Sequence, residues 1–259
     1  MKIGVFDSGL GGLSVLGAIR RRLPGADLDY VADSAHVPYG DKGEDFIRER
    51  SRSLADFLLA QGAEVLVVAC NTATAAAVPN LRAALAVPVV GMEPAVKPAT
   101  LATRTGIVGV MATVGTLKSA RFAALLDRFG AGIQVLTQAC PGLVEQVEAA
   151  DLEGRETRQL VQRFVGPLLA GGADTLVLGC THFHFLRPLV QAEAGPDVTV
   201  IDTADAVARQ VARVAGSPEL PAAGRARFWT SGDAVTLQRP LAGLWGGMPR
   251  LMPLPETPG

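Results

Sequence analysis

Two cysteines are the residues of this chain whose type and placement most clearly suggest chemistry. Cys70 and Cys180 lie near the ends of two segments that are near copies of each other, GAEVLVVACNT at 62–72 and GADTLVLGCTH at 172–182. Each copy has a Gly-Ala turn, an acidic residue, a short apolar run and then a cysteine followed by small polar residues. Two thiols at equivalent places in two similar units can reach opposite faces of one small molecule. That arrangement suits a reaction that removes a proton from one side of a carbon atom and returns a proton from the other side.

Small polar or reactive residues follow four of the strand-like runs. In an open parallel sheet, ligands bind beyond the carboxyl ends of the strands, where the strand order reverses. Each of these ends precedes a predicted helix start, whose free N–H groups and positive dipole end favour an anion and lower the pKa of a cysteine. We therefore expect a substrate with one or two carboxylates. The residues at the four ends are Asp7 and Ser8; Cys70, Asn71 and Thr72; Thr113 and Thr116; and Cys180, Thr181 and His182.

Two side chains near the cysteines are candidates for proton transfer. His182 follows Cys180 by two residues, so it either exchanges a proton with that thiol or is a hydrogen-bonding residue at a helix start. Asp7 either serves Cys70 in the other half or caps the first helix.

Several other features have a structural interpretation. Cys140 has no copy in the other unit and is expected to pack in the core, and His36 and His184 are expected to be ordinary polar side chains. The glycine-rich run SGLGGLS lacks the spacing of a phosphate-binding loop, so its glycines are expected to allow a close backbone approach. The cluster Cys180-x-His182-x-His184 has metal-ligand residue types, but no second cluster with zinc spacing accompanies it. We therefore expect no metal site.

The runs that must position these side chains alternate between strand-like and helical patterns. They begin with KIGVFD at 2–7 and continue to VTVID at 198–202. Apolar strands alternating with helices predict a parallel sheet that is covered on both faces. IGVFDS at 3–8 is similar to VGVMAT at 108–113, so the pattern restarts after the Pro-containing stretch at 93–99. We predict an α/β fold of two pseudo-symmetric parallel-sheet domains, Rossmann- or flavodoxin-like, with the active site between them.

The predicted domain boundary lies near residue 95. The first domain comprises residues 1–95 together with about 208–259, and the second comprises residues 96–207. In the C-terminal part, IDTADAVARQVARVAG predicts a helix, and RFWTSGD predicts a lone strand that returns to the first unit.

Composition limits the class of protein. The chain has 259 residues, of which 49% are hydrophobic, so it can bury a sizeable core. Its net charge of −1 gives no field that attracts nucleic acid or anionic membranes. The apolar runs are too short for a signal peptide or a membrane span, and three cysteines do not make a disulfide framework. We expect a cytoplasmic protein with neither a nucleic-acid nor a membrane partner.

With these motifs in this order, the sequence resembles the cofactor-independent glutamate racemases of bacterial cell-wall synthesis. The resemblance covers nearly the whole chain, and several of its motifs are specific. The motifs are GVFDSGLGGLSVL at 4–16, VPYGDK at 37–42, ACNTATA at 69–75, EPA at 93–95, MATVGTLKS at 111–119 and LGCTH at 178–182.

The resemblance implies roles for individual residues. Cys70 and Cys180 match the two catalytic thiols, Asp7 and His182 match the side chains that assist them, and Glu148 falls where the family has a further acidic residue. By the same likeness, Cys70 takes the Cα proton of D-glutamate and Cys180 that of L-glutamate. The residues that match substrate-binding positions are Asp7, Ser8, Tyr39, Gly40, Asn71, Thr72, Thr181 and His182, to which the strand-end argument adds Thr113 and Thr116.

The activity that the resemblance implies is the interconversion of L- and D-glutamate, supplying D-glutamate for peptidoglycan, without pyridoxal phosphate, metal or nucleotide. Whether the chain is a monomer or a homodimer stays open. Three alternatives remain: a racemase for aspartate or another small amino acid, a single-thiol redox or hydrolytic enzyme, and a non-catalytic binding protein such as a gyrase binder. A single-thiol enzyme would leave the second cysteine motif without a purpose.

The chain departs from the family pattern in three places. Phe183-His184 stands where the family usually has Tyr-Pro, and Ala-Asp-Ser at 32–34 stands where it usually has Gly-Asp-Thr. Glu145 occupies a position that is often proline. The first two departures concern fine specificity rather than the type of reaction, and the third weakens the assignment of Glu148.

Overall fold

Strands and helices alternate along the chain in the computed structural model, which describes residues 1–216 and 221–255. The strands are β1 (Lys2–Asp7), β2 (Asp27–Ala32), β3 (Val65–Val68), β4 (Val89–Val90), β5 (Ile107–Ala112), β6 (Gln134–Ala139), β7 (Thr175–Leu178), β8 (Thr199–Ile201), β9 (Ala226–Thr230) and β10 (Leu251–Pro253). The helices are α1 (Leu13–Arg22), α2 (Glu44–Ala60), α3 (Asn71–Ala84), α4 (Val96–Ala102), α5 (Val114–Lys118), α6 (Ala120–Phe129), α7 (Leu143–Glu148), α8 (Arg155–Ala170), α9 (Arg187–Ala194), α10 (Ala204–Ala215) and α11 (Ala234–Trp245). Short 3₁₀ turns occupy Ser34–His36, Tyr39–Asp41 and His182–His184.

The strands form two sheets in which every described pair is parallel. The first sheet has the order β10-β9-β2-β1-β3-β4, and the second has the order β6-β5-β7-β8. The run β2-β1-β3-β4 therefore has the same arrangement as β6-β5-β7-β8, which is the pseudo-symmetry expected from the repeated segments. The predicted fold class, two parallel-sheet α/β units, is confirmed.

Burial explains why the central strands read as continuous apolar runs. All four residues of β3 and all four of β7 are buried, because helices cover both faces of each sheet. On the first sheet, α1 and α10 pack on one face, while α2 and α3 pack on the other. We call the units built on the two sheets the first lobe and the second lobe.

The chain returns to the first lobe after the second sheet is complete. α10 packs against α1, and β9 pairs in parallel with β2, as the sequence predicts for the lone strand. The Arg227 guanidinium on β9 binds both carboxylate oxygens of buried Asp29 on β2, at 2.8 and 2.5 Å. β10, which pairs with β9, was not predicted from its three residues.

We propose that the domain boundary lies near residue 95 and that the chain returns to the first domain at about residue 208, within α10. Residues 217–220 and 256–259 of the predicted first domain lie outside the described residues. In the described part of the chain, no helix is both long and apolar enough to cross a membrane.

The topology brings four strand ends together. In each sheet the strand order reverses next to the first strand of the unit, between β1 and β3 in the first lobe and between β5 and β7 in the second. Ligand sites of open α/β sheets lie beyond the carboxyl ends at such points. The residues that follow β1, β3, β5 and β7 line one cavity between the lobes.

Candidate active site

A narrow cavity between the lobes contains both repeated cysteines. Pro38 and Val144 add apolar walls that were not predicted from the sequence; Pro38 lies within the VPYGDK motif, whereas no sequence signal marks Val144. The predicted site residues that line the cavity are Ser8, Tyr39, Gly40, Cys70, Asn71, Thr72, Thr113, Thr116, Cys180, Thr181 and His182. Eleven predicted residues from distant parts of the sequence are thus brought to one place.

Asp7 lies at the end of β1, is fully buried and accepts hydrogen bonds from residues of both lobes. Its Oδ1 accepts a hydrogen bond from Ser8 N at 2.6 Å, and its Oδ2 accepts one from Gly12 N at 2.5 Å. Thr181 of the second lobe donates its hydroxyl hydrogen to the same Oδ2 at 3.1 Å. A Cβ at Gly12 would lie 2.8 Å from the Asp7 Cβ, so glycine permits this close approach, as predicted. Burial raises the pKa of Asp7 above its ordinary value.

Cys70 caps α3, as the predicted helix start requires. Its Sγ accepts a hydrogen bond from Ala73 N at 3.4 Å, and Ser8 Oγ lies 4.0 Å from the sulfur. The expectation of a lowered pKa is nevertheless wrong for this thiol. Burial raises the pKa of Cys70 well above its ordinary value, and the neighbouring Asp7 carboxylate raises it further, which outweighs the Ala73 N–H.

Cys180 has different surroundings, and the predicted helix start does not follow it. A 3₁₀ turn over His182–His184 comes after this cysteine, and α9 begins only at Arg187. The N-terminus of a long helix therefore does not lie next to the Cys180 sulfur. Instead, Cys180 Sγ lies 3.7 Å from Nδ1 of His182, so an imidazole provides the nearby positive charge.

His182 is held between a thiol and a carboxylate. Its Nε2 lies 2.6 Å from Oε1 of Glu148, which also accepts a hydrogen bond from Leu10 N at 2.6 Å. Burial opposes the charged form of His182, but hydrogen bonds with Cys180 and Glu148 outweigh it and raise the pKa well above its ordinary value. The structure thus places Glu148, at the end of α7, in direct contact with His182 despite the Glu145 departure.

The part of the cavity next to Cys70 is lined by hydroxyl and amide groups. Thr72 Oγ1 lies 3.0 Å from Thr113 Oγ1 and 3.2 Å from Thr116 Oγ1, so three hydroxyls from two lobes converge. Both side-chain polar atoms of Asn71 are buried without a hydrogen-bond partner. Lysine and arginine are absent from the lining within the described residues. The hydrogen-bond donors next to Cys70 are therefore neutral groups, and the imidazole of His182 is the cationic side chain among the described lining residues.

Tyr39 is fixed from behind by an ion pair. Its hydroxyl donates a hydrogen bond to Asp33 Oδ2 at 2.6 Å, and Arg50 binds both oxygens of Asp33, at 3.1 and 2.6 Å. Although burial opposes the charge of Asp33, these bonds lower its pKa below the ordinary value. Gly40, the next residue, packs closely against Thr113. A Cβ at Gly40 would lie 3.0 Å from the Thr113 Cβ.

The remaining cysteine and the candidate metal cluster have separate surroundings. Cys140 is buried in the core of the second lobe, where its thiol donates a hydrogen bond to the Gln138 carbonyl at 3.3 Å. His184 turns its Nδ1 to Ser14 Oγ at 3.1 Å rather than to Cys180. Over residues 1–216 and 221–255, no three His, Cys, Asp or Glu side chains are grouped so that they could hold a metal ion.

The sequence of this chain matches a family of known enzymes. A family model described as Asp/Glu/Hydantoin racemase matches residues 3–211 of the chain. The chain belongs to this racemase family. Its catalytic class is therefore that of the amino-acid racemases, which are isomerases.

A curated relative and two solved structures to which this chain is similar are all glutamate racemases. This racemase is 59% identical over 248 residues to the glutamate racemase of Pseudomonas paraeruginosa, with 94% of each chain covered. Its structure is similar to that of a Bacillus anthracis glutamate racemase, with a TM-score of 0.89, 32% identity and coverage of 98% and 97% of the two chains. It is also similar to the Escherichia coli glutamate racemase in complex with L-glutamate and the activator UDP-MurNAc-ala, with a TM-score of 0.88, 34% identity and the same coverage.

Proposed function

We propose that this racemase interconverts L- and D-glutamate by proton transfer between Cα and two cysteines. The observation that carries the proposal is that Cys70 and Cys180, which come from different lobes, line one cavity. The high identity to glutamate racemases over 94% of the chain supports glutamate as the substrate. D-glutamate would then be supplied for peptidoglycan synthesis.

Each direction of the reaction needs one thiolate and one thiol. From L-glutamate, the Cys180 thiolate takes the Cα proton, and the electron pair left on Cα delocalises into the carboxylate. The Cys70 thiol then donates its proton to the opposite face, which gives D-glutamate and a Cys70 thiolate. From D-glutamate, the same steps run in reverse. No electron leaves the substrate, so no oxidant or reductant is consumed.

The Cα proton is a far weaker acid than a cysteine thiol, whose pKa is about 8.5. The site must therefore stabilise the developing charge on the substrate carboxylate. The unpartnered Asn71 amide and the hydroxyls of Thr72, Thr113 and Thr116 are groups suited to this, because they are already oriented and buried. Closure of the lobes over the substrate removes water and strengthens these interactions.

The two thiols are assisted by different groups under this proposal. His182, held charged between Cys180 and Glu148, stabilises a Cys180 thiolate. Asp7 raises the pKa of Cys70, which favours its thiol form and strengthens its thiolate as a base. Ser8, Tyr39, Gly40 and Thr181 are proposed to contact the substrate.

The proposal is tested by incubating each glutamate enantiomer in deuterated water. The wild-type protein should place solvent deuterium at Cα of the product, because the incoming proton comes from an exchangeable thiol. Cys70→Ser and Cys180→Ser should each reduce racemisation by a factor of about 10³ or more, as expected for the loss of an acid–base group. Cys140→Ser, which changes a thiol outside the cavity, should retain racemisation.

Two results would contradict the proposal. Full racemisation by either Cys70→Ser or Cys180→Ser would exclude the two-thiol mechanism. A higher kcat/KM for L-aspartate than for L-glutamate would show that the substrate is assigned wrongly, even if both cysteines are needed.

A further inference from the structure

His184 has a role in the structure that an ordinary surface histidine would not have. Its Nε2 is buried without a hydrogen-bond partner, while its Nδ1 lies 3.1 Å from Ser14 Oγ on α1 of the first lobe. Burial lowers the pKa of His184 to about 4, against the opposing charge of Asp202. The ring is therefore neutral at pH 7 and joins the two lobes as a hydrogen-bonding group rather than as a cation.

The Ser14 hydroxyl lies within hydrogen-bonding distance of three groups at this contact. It lies 2.8 Å from the carbonyl of Gly11 and 3.2 Å from the carbonyl of Thr181, as well as 3.1 Å from His184. A hydroxyl has one hydrogen to donate, and carbonyl oxygens only accept. The arrangement is satisfied when Ser14 donates to a carbonyl and His184 carries its hydrogen on Nδ1 and donates it to Ser14.

The two carbonyls that Ser14 reaches belong to backbone around His182. Gly11 packs against the imidazole so closely that a Cβ would lie 2.4 Å from His182 Nδ1. Thr181 is the residue between Cys180 and His182. A shift of the Ser14 hydroxyl would therefore move both the surface beneath the imidazole and the turn that carries it.

The pseudo-symmetric positions make no such contact. Ser119 corresponds to Ser14, and its hydroxyl likewise donates to the carbonyl three residues earlier, that of Thr116, at 2.8 Å. Thr74 corresponds to His184, but its hydroxyl bonds to Val68 O and Met92 N within its own lobe. In the described part of the chain, the link between lobes through this serine is therefore confined to the Cys180 side.

We propose that His184 and Ser14 are positioning residues that set the geometry of Cys180 and His182, and thereby act on the proton transfer at Cys180 but not on that at Cys70. The inference rests on the proposed two-thiol function. The pair fixes the turn over 180–182 against the first lobe, which holds Cys180 Sγ and His182 Nδ1 at 3.7 Å. Loosening it should slow the step at Cys180, because proton transfer requires close alignment of the reacting atoms.

The experiment measures primary isotope effects in both directions with glutamate deuterated at Cα. In His184→Ala and Ser14→Ala, kcat should fall roughly tenfold. The isotope effect starting from L-glutamate should rise, because Cys180 breaks that C–H bond and its step becomes more rate-limiting. The isotope effect starting from D-glutamate should fall, because Cys70 breaks that bond and its step becomes less rate-limiting. Opposite changes are not expected from a general loss of folded protein.

His184→Asn and Ser119→Ala are the matched variants. Asparagine places an N–H donor near the position of Nδ1, so it should restore most of the wild-type isotope effects. Ser119→Ala removes the equivalent serine of the other lobe and should leave the ratio of the two isotope effects unchanged.

Isotope effects that stay constant, or that change in the same direction from both enantiomers, would overturn the positioning role. A wild-type protein that fails to racemise glutamate would instead refute the proposed function. The two failures are therefore distinguishable.

Discussion

The Cys70 and Cys180 halves of the site have the same strand order but different electrostatics. Cys70 caps a long helix, α3, yet burial and the Asp7 carboxylate raise its pKa. Cys180 precedes only a 3₁₀ turn, but lies 3.7 Å from an imidazole that Glu148 helps to keep charged. At Cys70 the helix start is therefore the weaker influence on the pKa, because burial and then the Asp7 carboxylate outweigh it.

The halves also differ in how they are tied to the opposite lobe. Around Cys180, contacts between lobes include Asp7 with Thr181, Leu10 with Glu148, and Ser14 with His184. Around Cys70, contacts between lobes are hydroxyl pairs of Thr72 with Thr113 and Thr116. Duplication thus preserved the scaffold, whereas the charged groups that tune each thiol come from non-equivalent positions.

Among the variants that test the difference between the Cys70 and Cys180 halves, Glu148→Gln should have the largest effect. The amide still accepts a hydrogen bond from Leu10 N but has no charge, so the pKa of His182 should fall and the Cys180 thiolate should lose stabilisation. We expect kcat/KM to fall about 100-fold, or about 2.7 kcal/mol. Steady-state kinetics and an NMR titration of His182 measure the two effects. Glu145→Gln on the same helix is the control, and an unchanged His182 pKa in Glu148→Gln would refute the coupling.

The second prediction concerns the strands that distinguish the first lobe from the second. Arg227→Gln removes the guanidinium that binds Asp29, whose carboxylate is only 1% exposed, and leaves Lys2 at 4.0 Å as the neighbouring cation. The free energy of unfolding should fall by about 2 kcal/mol, because a buried carboxylate loses its hydrogen bonds. Urea denaturation measures this change. Arg225→Gln, an exposed arginine on the same segment, should change it by less than about 0.5 kcal/mol.

The third prediction concerns the effect of Asp7 on the pKa of Cys70. In a Cys180→Ser background, the rate at which iodoacetamide alkylates Cys70 should follow a pKa above the ordinary value of about 8.5. Asp7→Asn should lower that pKa, because it removes a buried negative charge. Asp45→Asn makes the same change in net charge at a side chain that is 98% exposed. If both variants shift the pKa equally, Asp7 has no specific effect.

The smallest effect at neutral pH is that of His184 on stability. Its pKa of about 4 in the folded protein lies below the ordinary value of about 6.5, so the unfolded chain binds more protons between these values. Its contribution to the free energy of unfolding is complete above about pH 6.5 and is lost as the pH falls through 4. The difference in stability between wild type and His184→Asn should therefore shrink on acidification from pH 7 to pH 4, as followed by denaturant titrations. A difference that is independent of pH would show that His184 is not buried as a neutral ring.

The sequence predicted the scaffold and most of the residues that line the cavity because both have local signals. The apolar run EVLVVAC predicts a buried strand, and β3 lies within it at Val65–Val68. The copied segments identified Cys70 and Cys180 as a pair. The contact between Glu148 and His182 has no local signal, because it depends on how α7 packs against a turn 34 residues later in the chain.

The raised pKa of Cys70 was mispredicted for a related reason. A cysteine at a helix start is visible in the sequence, whereas its complete burial beside Asp7 follows from the packing of two lobes. Opposing effects decide the direction of the shift in the pKa of Cys70, and only the three-dimensional structure shows which is larger. The short edge strand β10 was missed because three residues are too few to show a periodic pattern.

The near-complete burial of both thiols has a consequence for successive turnovers. Under the proposed two-thiol mechanism, one conversion of L- to D-glutamate leaves the proton on Cys180 and removes one from Cys70, so the protein is prepared for the opposite enantiomer. Each cysteine is only 6% exposed. The proposed mechanism therefore requires both cysteines to exchange protons with solvent in the free protein before a second molecule of L-glutamate can react. Until that exchange is complete, the protonation states of the two thiols record which enantiomer was the last product.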